Sequence, residues 1–191
     1  MKPINAVVGM VVLLSLAALL LFCSSMEEPT REQTEGEKPA GFVLQPNEGE
    51  VLLLRRPGGG RVTIKVDPVN TGSMRVAMGT QQMEVGYRIP VHQHEHQDEI
   101  LFVHNGHGTA ILDDERVTVE PGTTVYIPEG VWHGVDNTGD QRAEIIWVVA
   151  PPGLERFFRD AGAPPGTQLP PLTAAEMEKI GRKHGVTVRI Q

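Results

Sequence analysis

From residue 50 to residue 150 apolar and polar positions alternate in short runs, and turn-forming residues interrupt them about every ten positions. Strands are expected over residues 51–55, 61–66, 75–78, 83–89, 99–104, 109–112, 116–120, 123–127, 131–136 and 143–149. The turns between them carry Pro57-Gly58-Gly59-Gly60, Asp113-Asp114, Pro121-Gly122 and Asn137-Thr138-Gly139. Many short strands at even spacing define a sandwich or a barrel. The run Ile145-Ile146-Trp147-Val148-Val149 is apolar on both faces, which suits a central strand or a homodimer interface.

After Pro151-Pro152-Gly153 the period changes. Residues 154–161 read as a short helix with Leu154, Phe157 and Phe158 on one side, and residues 163–172 are rich in proline. Thr173 and Glu176 are spaced as a capping box that opens a second helix, which Gly185 ends. The helices are expected on the outside of the strand structure, with a lid over its mouth as the alternative.

The front of the chain has a different character. Lys2 precedes an uncharged apolar segment over 4–22, then Cys23-Ser24-Ser25 and a polar acidic stretch, the order of a secretory signal. Three fates fit it: lipidation at Cys23, cleavage near Ser25, or retention as an anchor long enough to span a bilayer. All three place the folded part outside the cytoplasm, in a periplasm or cell envelope. Residues 26–40 hold too few apolar groups to order themselves and are expected to be a tether. The expected organisation is therefore 1–25 signal or anchor, 26–40 tether, 41–150 strand domain and 151–191 helical extension. Cys23 is the one cysteine of the chain, so an internal disulfide is excluded and the fold rests on its core. A net charge of −7 without a basic cluster argues against nucleic acid, and against membrane contact beyond an N-terminal anchor.

Chemistry concentrates at His92, His94, Glu99 and His133. Two strand residues apart, His92 and His94 project from one face about 7 Å from each other, close enough for both rings to reach one ion. Glu99 opens the next apolar run beyond a polar hinge and is expected to face them from a neighbouring antiparallel strand. His133 follows the turn Pro128-Glu129-Gly130 and is expected from across the fold. His96 continues the alternation, so a slipped register would offer His94 and His96 instead; otherwise His96 belongs to a solvated loop. His104 and His107 flank Gly106 at a turn, and His184 closes a helix where a cation suits the dipole. Trp132 should face away from His133. Arg88 shares parity with His92 and could clamp an anion in the cavity, unless Pro90 breaks the alternation.

The frame around these residues resembles a known family. Gly86, five residues, His92-Gln93-His94, four residues, Glu99, six residues and Gly106 is similar to the first cupin motif. Gly122, five residues, Pro128-Glu129-Gly130, two residues, His133, three residues and Asn137 is similar to the second. The fifteen residues between the motifs resemble the spacing of compact microbial cupins. The resemblance implies an all-β fold, a jelly-roll cupin barrel (double-stranded β-helix) with short C-terminal helices. It also implies a metal held by His92, His94, Glu99 and His133, and dimers are common among similar cupins.

Three imidazoles and one carboxylate leave a divalent ion with open positions, where it can polarise an oxygen or activate dioxygen. The site resembles that of quercetin-cleaving dioxygenases, which implies a catalytic role for Glu99 as proton acceptor. Three functions fit: a metal-dependent oxygenase acting on a small enol, phenol or diketone; a non-redox isomerase or lyase; and a small-ligand-binding module. A chain exported unfolded would load its ion outside, where copper and zinc compete best, so Cu, Zn or Ni is expected over Fe, with Mn compatible.

Overall fold

Period-two burial is clearest in three strands, over 77–83, 98–105 and 143–150, and pairing sorts the described strands into two antiparallel sheets. The structure, a computed structural model, describes residues 41–56 and 59–189. The expected export segment with Cys23, the tether over 26–40, and Pro57-Gly58 of the first turn lie outside the described residues. Among the described residues no helix is long and apolar enough to cross a membrane.

The larger sheet runs in the order β11 (Gly162–Ala163), β1 (Glu50–Leu54), β2 (Arg61–Val66), β3 (Ala77–Met83), β10 (Ala143–Ala150), β5 (Asp98–Asn105) and β8 (Thr124–Ile127). The smaller one runs β12 (Val186–Val188), β4 (Arg88–His94), β9 (His133–Asp136), β6 (Gly108–Leu112) and β7 (Glu115–Val119). Among the described residues three helices accompany the sheets: α1 (Pro68–Thr71), α2 (Leu154–Ala161) and α3 (Ala174–Lys183).

Strand β10 is central, flanked by β3 and β5. Its Ile145, Trp147 and Val149 point into the core, while Ile146 and Val148 are half-buried on the outer face beside the exposed Ile100 and Phe102 of β5. The doubly apolar pattern is thus a buried face backed by a partly covered one. Trp147 is fully buried, its ring 5.3 Å from that of Phe158 on α2. It can lie flat against β3 because Gly79 stands opposite it; a Cβ there would come within 2.4 Å of the indole and of the Thr63 carbonyl oxygen.

The strand expected over 83–89 does not exist as one piece. The chain turns between β3 and β4: Gly86 adopts φ +76° in the left-handed region, the Tyr87 N–H donates to the Glu84 carbonyl at 2.9 Å, and Val85 is exposed. Alternation runs on through these residues, so hydropathy alone does not reveal the turn. The buried Asn137 holds it from below, its amide nitrogen 2.9 to 3.1 Å from the carbonyls of Met83, Glu84 and Gln141.

Both helices expected in the C-terminal extension are present, and Thr173 and Glu176 form the capping box. The extension also supplies two strands. β11 pairs with β1, and β12 pairs with β4, Val186 opposite His94 and Val188 opposite His92. His184 follows α3 and lies 2.8 Å from the Asp160 carboxylate, which Lys183 also reaches, tying α3 to α2.

Gly79→Ala is expected to destabilise the fold by about 1–3 kcal/mol through overpacking against Trp147. Urea unfolding would read this as a lower midpoint at unchanged slope; an unchanged midpoint would mean that the indole has room to move.

Candidate metal centre

Strand pairing creates the site. In the smaller sheet His92 of β4 stands opposite His133 of β9, and His94 lies two residues along β4 on the same face. The three imidazole centroids are 4.2 to 5.1 Å apart. Glu99 arrives from the other sheet. The corner at Glu95-His96-Gln97 carries the chain from β4 across to β5, whose inward residues begin with Glu99. The expected positions are therefore exchanged: His133 is the cross-strand neighbour of His92, and the carboxylate is the group that comes from across the fold.

One ligand atom from each of His92, His94, Glu99 and His133 can be chosen so that all four lie within 4.8 Å of one another. A Glu99 carboxylate oxygen is 2.9 Å from His133 Nε2 and 3.3 Å from His94 Nε2. His94, His133 and Glu99 are buried, at 1%, 1% and 4% exposure, and His92 is half-buried on the cavity side. Two of the rings have their orientation fixed by a backbone carbonyl two residues before them. His92 Nδ1 is 2.8 Å from the Pro90 carbonyl and His133 Nδ1 is 2.9 Å from that of Val131. A carbonyl only accepts, so each Nδ1 carries the proton and each Nε2 keeps its lone pair. Both ring nitrogens of His94, and Nε2 of His133, are buried without a hydrogen-bond partner among the described residues. Inward-turned imidazole lone pairs beside a buried carboxylate fit a divalent cation.

The electrostatics agree. Burial lowers the His92 imidazole well below its ordinary range, and any charge on His133 or His94 lowers it further, so the ring stays neutral. Burial raises the Glu99 carboxyl; a ring proton turned toward it from His133 or His94 lowers it well below the usual carboxylate range, and where those nitrogens offer lone pairs instead, a bound cation would supply that positive charge. The turn before His133 is pinned as well: Asp98 accepts from the Glu129 N–H, and the Gly130 N–H donates to the His94 carbonyl.

The other sequence candidates lie elsewhere. His96 is exposed, with its ring 3.9 Å from Glu95, so the slipped register is excluded. His104 and His107 are exposed. Trp132 turns away from His133 and lies beneath the Arg189 guanidinium, 4.8 Å from its ring. Arg88 lines the cavity from its solvent-facing rim. The β4 and β9 register shifts between Ile89 and His92, so the bulge around Pro90 breaks the parity; the Arg88 side chain stays 73% exposed at the rim, 3.9 Å from Asp136.

The site opens into a cavity of about 400 Å³. Its wall is mostly apolar and includes Leu101, Val135, Ile145 and Trp147 from the sheets. The helices expected on the outside contribute too: Leu154, Phe157 and Phe158 of α2 and Met177 of α3 line the same space. Arg56 and Gln81 are polar lining residues that the sequence did not single out; an arginine just beyond a strand reads as solvated.

Fold, motifs and relatives agree on the class: the chain belongs to the cupin superfamily, and the Cupin domain model matches residues 79–149. Among curated relatives it is 31% identical over 96 residues to Protein SchB of Streptomyces halstedii, a match that covers 50% of this chain and 70% of SchB. It is 26% identical over 142 residues to quercetin 2,3-dioxygenase of Bacillus subtilis, covering 74% of this chain and 40% of that one. Among solved structures the polyketide cyclase RemF from Streptomyces resistomycificus aligns with a TM-score of 0.53 at 18% identity, over 73% of this chain and 92% of RemF. That likeness is one of fold.

His94→Ala should lower the metal retained after dialysis by ~10-fold or more, since even outer partners of metal ligands are worth that much. His96→Ala should leave it unchanged. Elemental analysis decides, and equal loading of the His94 variant would refute the site.

Proposed function

We propose that the chain is an exported, metal-dependent oxygenase that acts on a small enolic or phenolic substrate. The observation that carries this reading is the meeting of three inward-turned imidazoles and one ionised carboxylate at an apolar cavity. His92, His94, Glu99 and His133 would hold the ion. When bound, the ion supplies open positions and a positive charge that can polarise a substrate oxygen or engage dioxygen.

The protein's own contribution can be derived from its side chains. The apolar wall excludes water and accepts a flat, largely hydrophobic body, and the volume suits a small molecule. Among the described residues that line the cavity, Glu99 is the one carboxylate, so proton abstraction from an enol or phenol hydroxyl falls to it. The Nδ1 bonds of His92 and His133 to nearby backbone carbonyls keep both rings from swinging into the substrate space.

The choice of metal rests on the donor set and the N-terminal segment. Nitrogen and oxygen ligands loaded outside the cytoplasm favour copper, zinc or nickel over iron, with manganese compatible. The apolar segment over 4–22 and Cys23 support export, with lipidation, cleavage or retention as the anchoring mode.

Two measurements test this function. With a panel of flavonols, diketones and catechols, steady oxygen uptake is expected, and Glu99→Gln should slow it by ~10²-fold or more at the metal content found in the wild type. Product formed equally well under nitrogen would instead indicate an isomerase or lyase, and tight binding without product under either gas a binding module. Protein recovered from its native cells should be found in the envelope fraction carrying mainly copper, zinc or nickel. Iron as the main metal, or recovery from the cytosol, would overturn that part.

A further inference from the structure

The cavity wall carries a cation that no carboxylate neutralises. Arg56 follows β1 and lines the same cavity as His92, Glu99 and His133. Its guanidinium stacks over the Tyr87 ring at 4.7 Å and donates to the Tyr87 hydroxyl. No carboxylate among the described residues makes an ion pair with it, and its buried Nε has no acceptor among them. Arg159, by contrast, reaches both Glu50 and Asp67.

Neighbouring groups add further donors. The Gln81 side-chain amide donates to the same Tyr87 hydroxyl at 3.4 Å. On the same face, diagonally across the β3–β10 ladder, the buried Trp147 Nε1 lacks an acceptor among the described residues. Arg56, Gln81 and Trp147 thus line one stretch of the cavity wall, with Arg56 and Gln81 sharing the Tyr87 hydroxyl as their acceptor. Burial lowers the guanidinium to about 10, which still leaves it charged at neutral pH.

We propose that Arg56 is the specificity-determining residue of the cavity and that it binds the carboxylate of an apolar, carboxylate-bearing substrate. A guanidinium offers two parallel donors to a carboxylate, and an apolar surrounding strengthens that contact. Tyr87 lies in the turn before β4, five residues ahead of His92, so the two backbones are at most roughly 17 Å apart. The substrate thus has its charged group at Arg56, an apolar middle against Trp147 and the α2 aromatics, and its reacting oxygens toward Glu99. The inference rests on the cavity being the ligand site and names the class of ligand it takes.

The test uses the full chain as purified, with metal content measured in every sample, and a matched pair of probes: 3-phenylpropanoate and its primary amide. Calorimetry at neutral pH should show the carboxylate binding at least about tenfold tighter than the amide. Arg56→Met should reduce that preference to within about twofold at unchanged metal content, and Arg56→Lys, which keeps the charge and loses the fork, should retain part of it. If the Met variant does not fold, a severalfold loss of preference in the Lys variant carries the test. A preference that survives both substitutions would be set by the metal and would overturn the proposal, as would equal or absent binding of the two probes to the wild type. Binding is read without turnover, so a chain that shows the preference yet consumes no oxygen refutes the oxygenase reading alone.

Discussion

The buried carboxylate of Glu99, set among three imidazoles, is the contact on which the two sheets close. β5 brings it from the larger sheet, while β4 and β9 bring the histidines from the smaller one. Elsewhere the inner faces meet through aliphatic and aromatic side chains, whose volumes set the separation. Here the separation is set by polar atoms about 3 Å apart. An isolated charge so deeply buried would be costly, and the imidazoles, two of them oriented by nearby backbone carbonyls, are placed to share a proton or a cation with it. The same orientation gives the site its chemistry, because nitrogens that do not point at the backbone point at a shared interior space.

That space is bounded by more than the strand domain. α2 and α3 belong to the last forty residues of the chain, yet their aromatic and methionine side chains form part of the cavity wall. Their placement follows from two short pairings, β11 against β1 and β12 against β4. The ion clasp of Asp160 with Lys183 and His184 then holds the helices together. The cavity is thus a joint product of the two sheets and of the helical segment that follows them. Its apolar wall, broken by Arg56 and the metal-type cluster, is where substrate preference is written.

Legibility in the sequence divided along the range of the interactions involved. The four clustered residues were readable because their frame is local: Gly86, Pro128, Gly130 and Asn137 each fix a turn within a few positions of a ligand, and their spacing survives in one dimension. Most strands were readable for the same reason. The turn at Gly86 was not, because Met83-Glu84-Val85-Gly86-Tyr87 alternates as a strand would and only a positive φ interrupts it. The exchange of positions between Glu99 and His133 was hidden too, since alternation tells which face a residue occupies and not which sheet. Arg56 was invisible: its burial depends on Tyr87, thirty-one positions away, and on a cavity that no local pattern announces.

β12 is three residues long, yet it changes the standing of the ligand strand. By pairing with His92, Gln93 and His94 it makes β4 an interior strand, with β9 on its other side. Without it, the row of backbone groups beside two imidazoles would be a free sheet border, the kind of template on which a second chain can add itself and propagate. The short strand therefore guards against edge-to-edge association as well as holding the geometry of the centre.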